Sequence, residues 1–199
     1  MWVSAQKKSN FSIIKNMKTI IKLLIISLLL SSKSFGQLYA TQSGETNFFS
    51  ETPVENIVAV NKTTGAIINT ATNEVAVSMK MSAFEFPNKL MQEHFNENYM
   101  ESEKYPTGTF KGKIVEVIDY TKNGTYDVTA KGQLTIHGVT LPRDLKGKLT
   151  IENQKISLIS NFDVKLADHK IDIPKIVFAK IAEVISVKTK YNFSPYVKK

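Results

Sequence analysis

From Tyr126 to Ile151 the chain alternates apolar and polar positions twice over. Val128, Ala130, Leu134 and Ile136 fall on alternate positions, with Thr129, Lys131, Gln133 and Thr135 between them. A period of two is the mark of a strand with one buried face and one solvated face. Gly138 and Pro142 break the pattern, one by its backbone freedom and the other by its missing N–H, and predict a turn. Alternation resumes at Leu145, Gly147, Leu149 and Ile151. The stretch predicts a β-hairpin, and its neighbours extend the same pattern.

Upstream, Leu38 to Thr41 and Thr46 to Ser50 predict two short strands around a Ser43-Gly44 turn. Ile57 to Val60 predicts a strand, Asn61 to Gly65 a polar turn, and Ala66 to Ile68 a further strand. Glu74 to Phe86 alternates strongly, with Val75, Val77, Met79 and Met81 on one face. Phe84 and Phe86 have the opposite parity, which predicts a bulge or a turn near Ser82-Ala83. One segment predicts a helix: Asn88 is an N-cap for Lys89 to Met100, where Leu90, Met91, His94, Phe95, Asn98 and Tyr99 share a stripe. Such a helix covers an open end or an edge of a sheet. Thr109 to Ile118 returns to strand, Asn123-Gly124 gives a hairpin signal, and Asn153-Gln154 another tight turn. Ile156 to Leu166 is a long strand, Ala167 to Pro174 a polar loop holding His169, Ile176 to Ile181 ambiguous, and Ala182 to Phe193 the last strand. Eight or nine antiparallel strands joined by short turns predict a mainly β protein with a closed or nearly closed barrel of about eight strands.

Composition changes the picture at the start of the chain. Of 199 residues, the first 36 hold six lysines and no acid. Met17 to Lys22 is a short basic region, Leu23 to Leu30 an apolar run interrupted by Ser27, and Ser34-Phe35-Gly36 supplies small residues before Gln37. This order predicts a secretory signal peptide over residues 1–36, with Met17 a candidate start. The run is far shorter than the roughly 20 residues that cross a bilayer. The whole chain carries +8; without those six lysines, 20 basic and 18 acidic side chains remain, a balance of +2. The basicity therefore belongs to the leader and gives no case for nucleic-acid binding. Residues 37–199 predict one domain with a sizeable core, and the absence of cysteine excludes disulfides. The expected location is the periplasm or the exterior, after cleavage near Gly36.

Catalytic chemistry is not legible. His94, His137 and His169 have no partner at a metal-ligand spacing, no serine lies in a nucleophile elbow, and no glycine-rich loop suits a phosphate. His94, on the apolar stripe, is expected to be a hydrogen-bonded structural residue. Neither a catalytic residue, a metal nor a cofactor is assigned. Methionines and phenylalanines stand out instead, and methionine suits a surface that fits a long flexible chain. A barrel of about eight strands has room for one apolar ligand. The candidate cavity lining is Val77, Met79, Met81, Phe84, Phe86, Leu90, Met91, Phe95, Phe110, Ile114, Leu134, Ile136, Leu149, Leu158, Phe162 and Val187. Two alternatives stay open: a structural barrel with a filled core, and a hydrolase using His94 or His169 with a nearby carboxylate.

Gly132-x-Leu134-Thr135-Ile136-His137-Gly138-Val139-Thr140-x-Pro142 resembles the G-x-L-T-I-H-G-V-T-x-P signature of the YceI-like family. Glu93-His94-Phe95 and Lys104-Tyr105-Pro106-x-x-x-Phe110 are similar to that family's D-x-H-L and K-Y-P-x-x-x-F stretches. Gln92-Glu93 stands where many members have Arg-Asp, Phe95 stands for Leu, and the strands before Val75 match weakly. The resemblance implies an exported, lipocalin-like antiparallel barrel holding a polyisoprenoid or another long amphiphile, quinone-like molecules included, with no catalytic residues. By position, the family's histidines fall on His94 and His137, and both are expected to be structural or to touch a ligand head group. The implied partner is an isoprenoid-type lipid; whether the chain forms a homodimer is left open.

Overall fold

The structure is a computed structural model that describes residues 37–174 and 180–196. The expected signal peptide, residues 1–36, lies outside the described residues, as does most of the ambiguous segment before Ile181. Eight antiparallel strands close into one barrel in sequence order: β1 (Leu38–Glu51), β2 (Asn56–Asn69), β3 (Glu74–Lys80), β4 (Thr107–Ile114), β5 (Gly124–Ile136), β6 (Val139–Glu152), β7 (Lys155–Lys165) and β8 (Val184–Pro195). β8 pairs back onto β1, with Phe48 opposite Val187, which closes the ring of strands. The mainly β, antiparallel barrel that the alternation predicts is the fold observed.

Two pairs of predicted short strands are each one continuous strand. Ser43-Gly44 lies inside β1 and Asn61 to Gly65 inside β2. The register between these strands shifts on both sides of the Gly44–Thr64 pair, which flips the parity of the inward residues. Asn61 and Thr64 then point inward and are fully buried. Their partners are internal: Asn61 Nδ2 donates to the Lys80 carbonyl at 2.9 Å, and the Thr64 hydroxyl is 3.0 Å from that of Thr46. Polar residues that read as a turn are thus a buried, satisfied cluster.

At the hairpin between β5 and β6, Ile136 pairs with Val139 across His137 and Gly138, both at positive φ. The turn is therefore two residues long, and Pro142 is not in it but in β6, opposite Gln133. β6 pairs with β7 only from Gly147 onward, so residues 139–146 have a partner on one side, where a proline costs no ladder bond. The Asn123-Gly124 signal likewise marks the start of β5 rather than a two-residue turn; β4 ends at Ile114 and residues 115–123 form the connection. Asn153-Gln154 is a tight turn as predicted.

The two longest connections, after β3 and after β7, lie at one end. Residues 52–55, 81–106, the His137-Gly138 turn and, among the described residues after β7, 166–174 and 180–183 surround the mouth, while residues 70–73, 115–123 and 153–154 close the opposite end. β3 stops at Lys80 and the chain turns through a 3₁₀ turn, Met81–Ala83, which explains the parity change before Phe84. The helix α1 (Lys89–His94) follows and widens into a π turn, Phe95–Tyr99. Asn88 is its N-cap, with Oδ1 accepting from the Leu90 and Met91 amides at 2.9 and 3.4 Å. No helix among the described residues is long and apolar enough to cross a membrane.

Candidate functional site

The interior divides into a packed half and a hollow half. In the closed half, inward residues of β2 to β8 meet: Ile68, Val75, Ile114, Val128, Leu149, Ile156 and Phe193 are all at most 4 % exposed. Gly112 faces Gly132 across β4 and β5, and a Cβ on Gly132 would lie 2.5 Å from the Gly112 Cα, so only glycines allow the strands to meet there. Gly44 makes room for the ring of Tyr191 in the same way. The Tyr191 hydroxyl lies 3.1 Å from that of Thr46, and burial pushes its pKa up.

Towards the mouth the side chains part around a cavity of about 450 Å³. That falls within the size range of small-molecule sites. Its wall is apolar and comes from the strand ends, the segment Met81–Phe86, α1 and the loop after β7. Four phenyl rings cap one side: Phe95 lies 5.5 Å from Phe48 between centroids, 5.7 Å from Phe84 and 5.0 Å from Phe86. One of these rings comes from β1, two from the turn after β3, and one from the π turn. The cluster therefore holds the helix over the opening. Gln92 reinforces it, accepting from the Phe86 amide at 3.2 Å.

Of the sixteen lining residues expected from sequence, eleven border this cavity: Met79, Met81, Phe84, Phe86, Leu90, Met91, Phe95, Leu134, Ile136, Phe162 and Val187. The other five do not. Val77, Phe110, Ile114 and Leu158 surround a separate void of about 50 Å³ in the closed half, and Leu149 is fully buried in the core. Alternation tells which face of a strand turns inward but not how far along the barrel a residue sits. Sequence reasoning also missed Phe48, Tyr99, Val164, Leu166, Ile171, Ile181 and Ile185 in the wall. Phe48, Val164 and Ile185 lie in strand alternation and were legible in principle; Ile171 and Ile181 sit in a connection with no period to read.

Polar groups are few: Thr46 and Ser50 are buried in the wall, and the charged ones stand at the rim. Glu55 and Lys180 approach to 4.0 Å, and Asn88 and His94 stand beside the opening. His94 is exposed beside the opening, with no side-chain hydrogen bond found among the described residues, so it is not the bonded structural residue that its apolar stripe suggested. His137 takes that role instead and does not border the cavity. Its Nε2 is 2.9 Å from the Glu101 carboxylate and its Nδ1 3.1 Å from the His169 carbonyl. Both partners are hydrogen-bond acceptors. The hydrogen bond from His137 is the main cause holding Glu101 below the usual carboxylate range. Tyr105 stands edge-on to the His137 ring at 4.4 Å and covers Gly138. His169, almost fully buried, has Nδ1 3.3 Å from the Val139 carbonyl. The turn thus ties the chain after the helix and the loop after β7 to the same point of the mouth. No group of three metal-ligating side chains occurs among the described residues.

The family model described as the YceI-like domain matches residues 33–193. No curated protein matches the chain in sequence. Similar solved structures include a polyisoprenoid binding domain from Saccharophagus degradans implicated in plant cell wall breakdown, with a TM-score of 0.69 at 13% identity, over 80% of this chain and 99% of that one. BcnA of Burkholderia cenocepacia aligns with a TM-score of 0.62 at 13% identity, over 76% and 96%. The YCEI protein of Campylobacter jejuni gives 0.54 at 18%, over 69% and 84%. At such identities the structures speak for a shared fold.

Proposed function

We propose, for a chain that belongs to the YceI-like family, that the barrel binds a polyisoprenoid or a similar long-chain amphiphile and carries or stores it without catalysing a reaction. The observation that carries this reading is the cavity itself: about 450 Å³, walled by apolar side chains and open at the mouth beneath α1. A core filled throughout would leave no such space. The polyisoprenoid binding domain from Saccharophagus degradans, similar in fold, supports the ligand class. Magnitudes agree with a tail-led mode of binding. A tail burying roughly 400 Å² gains about 10 kcal/mol, which competes with an association cost of about 4–15 kcal/mol. The tail alone makes binding feasible, and a few polar contacts settle its direction. The head group lies at the rim beside His94, Glu55 and Lys180, where charge stays hydrated. A hydrolytic role has less support: His94 pairs with no described carboxylate, and His169 is enclosed by protein.

The pattern of residues 1–36 supports export ahead of this activity, and N-terminal sequencing of the protein from the periplasmic fraction should begin at Gln37. Native mass spectrometry of that protein tests the function. The expected result is a stoichiometric adduct released on denaturation as a long-chain lipid. A clean apo mass that persists after incubation with quinones and polyprenols would sink the reading and favour a structural barrel.

A further inference from the structure

The cavity ends on a floor. Met79, Leu134 and Phe162 are the three side chains that border both the large cavity and the small void beneath it. They come from β3, β5 and β7, and Met79 and Phe162 pack against the buried cluster to which Leu134 belongs. Leu134 is buried against the core and Met79 packs over Gly108, with Cγ 3.3 Å from where a Cβ would stand. Below them only about 50 Å³ is free. A water molecule takes about 30 Å³ of liquid, and a methylene a similar share, so that void holds no length of chain. The space above the floor, about 450 Å³, accommodates about 15 carbon atoms on the same scale.

We infer that this barrel measures its ligand, with Met79, Leu134 and Phe162 as specificity-determining residues that limit the buried prenyl chain to about three isoprene units, roughly 15 carbons. The inference rests on the proposed lipid-binding reading and adds a length rule to it. Carbons up to the limit leave water and tighten binding; carbons beyond it extend through the mouth and gain little. Affinity therefore rises with chain length and then levels off.

The test is native mass spectrometry titration of the full chain with geraniol, farnesol, geranylgeraniol and solanesol. From geraniol to farnesol the dissociation constant should fall by about a hundredfold or more, as burial of five further carbons requires. From farnesol to geranylgeraniol and solanesol it should change by less than about threefold. Phe162→Ala opens the floor and joins the two voids, so geranylgeraniol should then bind about tenfold more tightly than farnesol. Met79→Ala, which truncates a half-buried side chain, should shift the plateau in the same direction and serves if the phenylalanine variant does not fold. Wild-type affinity that keeps rising to solanesol overturns the length rule while leaving the barrel a lipid binder. A plateau at farnesol that a folded variant leaves unmoved overturns the assignment of the floor. Failure to bind any of the four prenols overturns the binding reading and the length rule with it.

Discussion

His137 has no place in the cavity wall, yet its ring organises the mouth. A positive φ lets it share a two-residue turn with Gly138, and the ring then reaches Glu101 and the His169 carbonyl at once. Truncating such a residue leaves two partners behind, one of them charged, which is costlier than losing a neutral pair. The carboxylate of Glu101 offers a way to read the contact through pH. Its pKa is lowered in the folded protein, mainly by the hydrogen bond from His137. A depressed carboxylate contributes stability that is present above its unfolded titration range and is lost as pH falls through the folded value. Denaturant midpoints of wild type and Glu101→Gln should therefore differ near neutral pH and converge on acidification. Parallel curves at every pH would show that the contact adds nothing. The signature histidine was legible in the sequence as a motif member; the two groups it bonds, 36 and 32 positions away, were not.

At the scale of elements, α1 is short and its hold on the barrel is local. Six residues of helix are too few to persist by propensity alone. The Asn88 cap, the Gln92 bond to Phe86 and the packing of Phe95 among three other rings keep it in place. The π turn after His94 coincides with the position where Phe95 enters that cluster, and its Phe95 carbonyl accepts from the Met100 amide at 2.9 Å. Asn88→Ala should cost about 1 kcal/mol in this element. Hydrogen exchange at the Leu90 and Met91 amides should then speed up by roughly fivefold while the β5 and β6 amides stay unchanged. Uniform acceleration across the barrel would mean that the helix and the barrel open as one unit. The cap and the stripe of this helix were readable in sequence because they depend on neighbours three and four positions apart. The bulge shared by β1 and β2 was not, because a parity flip and a turn look alike when polar residues point inward.

The whole molecule combines a rigid half with a hollow half. In the closed half, the Gly112–Gly132 pair lets two strands approach and large apolar side chains fill the axis. Towards the mouth, space is left between side chains, and that space lowers the stability of the empty protein by the contacts it forgoes. A tail that fills it restores them. A ligand present at about a hundred times its dissociation constant should stabilise the fold by about 2.7 kcal/mol. Thermal unfolding followed by circular dichroism should show a midpoint that rises with farnesol concentration and is insensitive to glycerol. An unchanged midpoint at saturating farnesol would mean that the prenol does not occupy the native cavity.

By itself the sequence determined the mainly β class, the antiparallel order of the strands, the capped helix and the family signature. Each of these rests on local chemistry: a period of two along a strand, a side chain capping an amide two positions on, a turn that needs positive φ. Only the tertiary structure decided where the hollow begins. Phe110 and Phe162 both sit in alternating strands and read alike along the chain, yet Phe110 fills the closed half while Phe162 stands on the floor of the cavity. The difference arises from the register of eight strands around a closed barrel, which sets the height of each inward residue and is a property of all the pairings together.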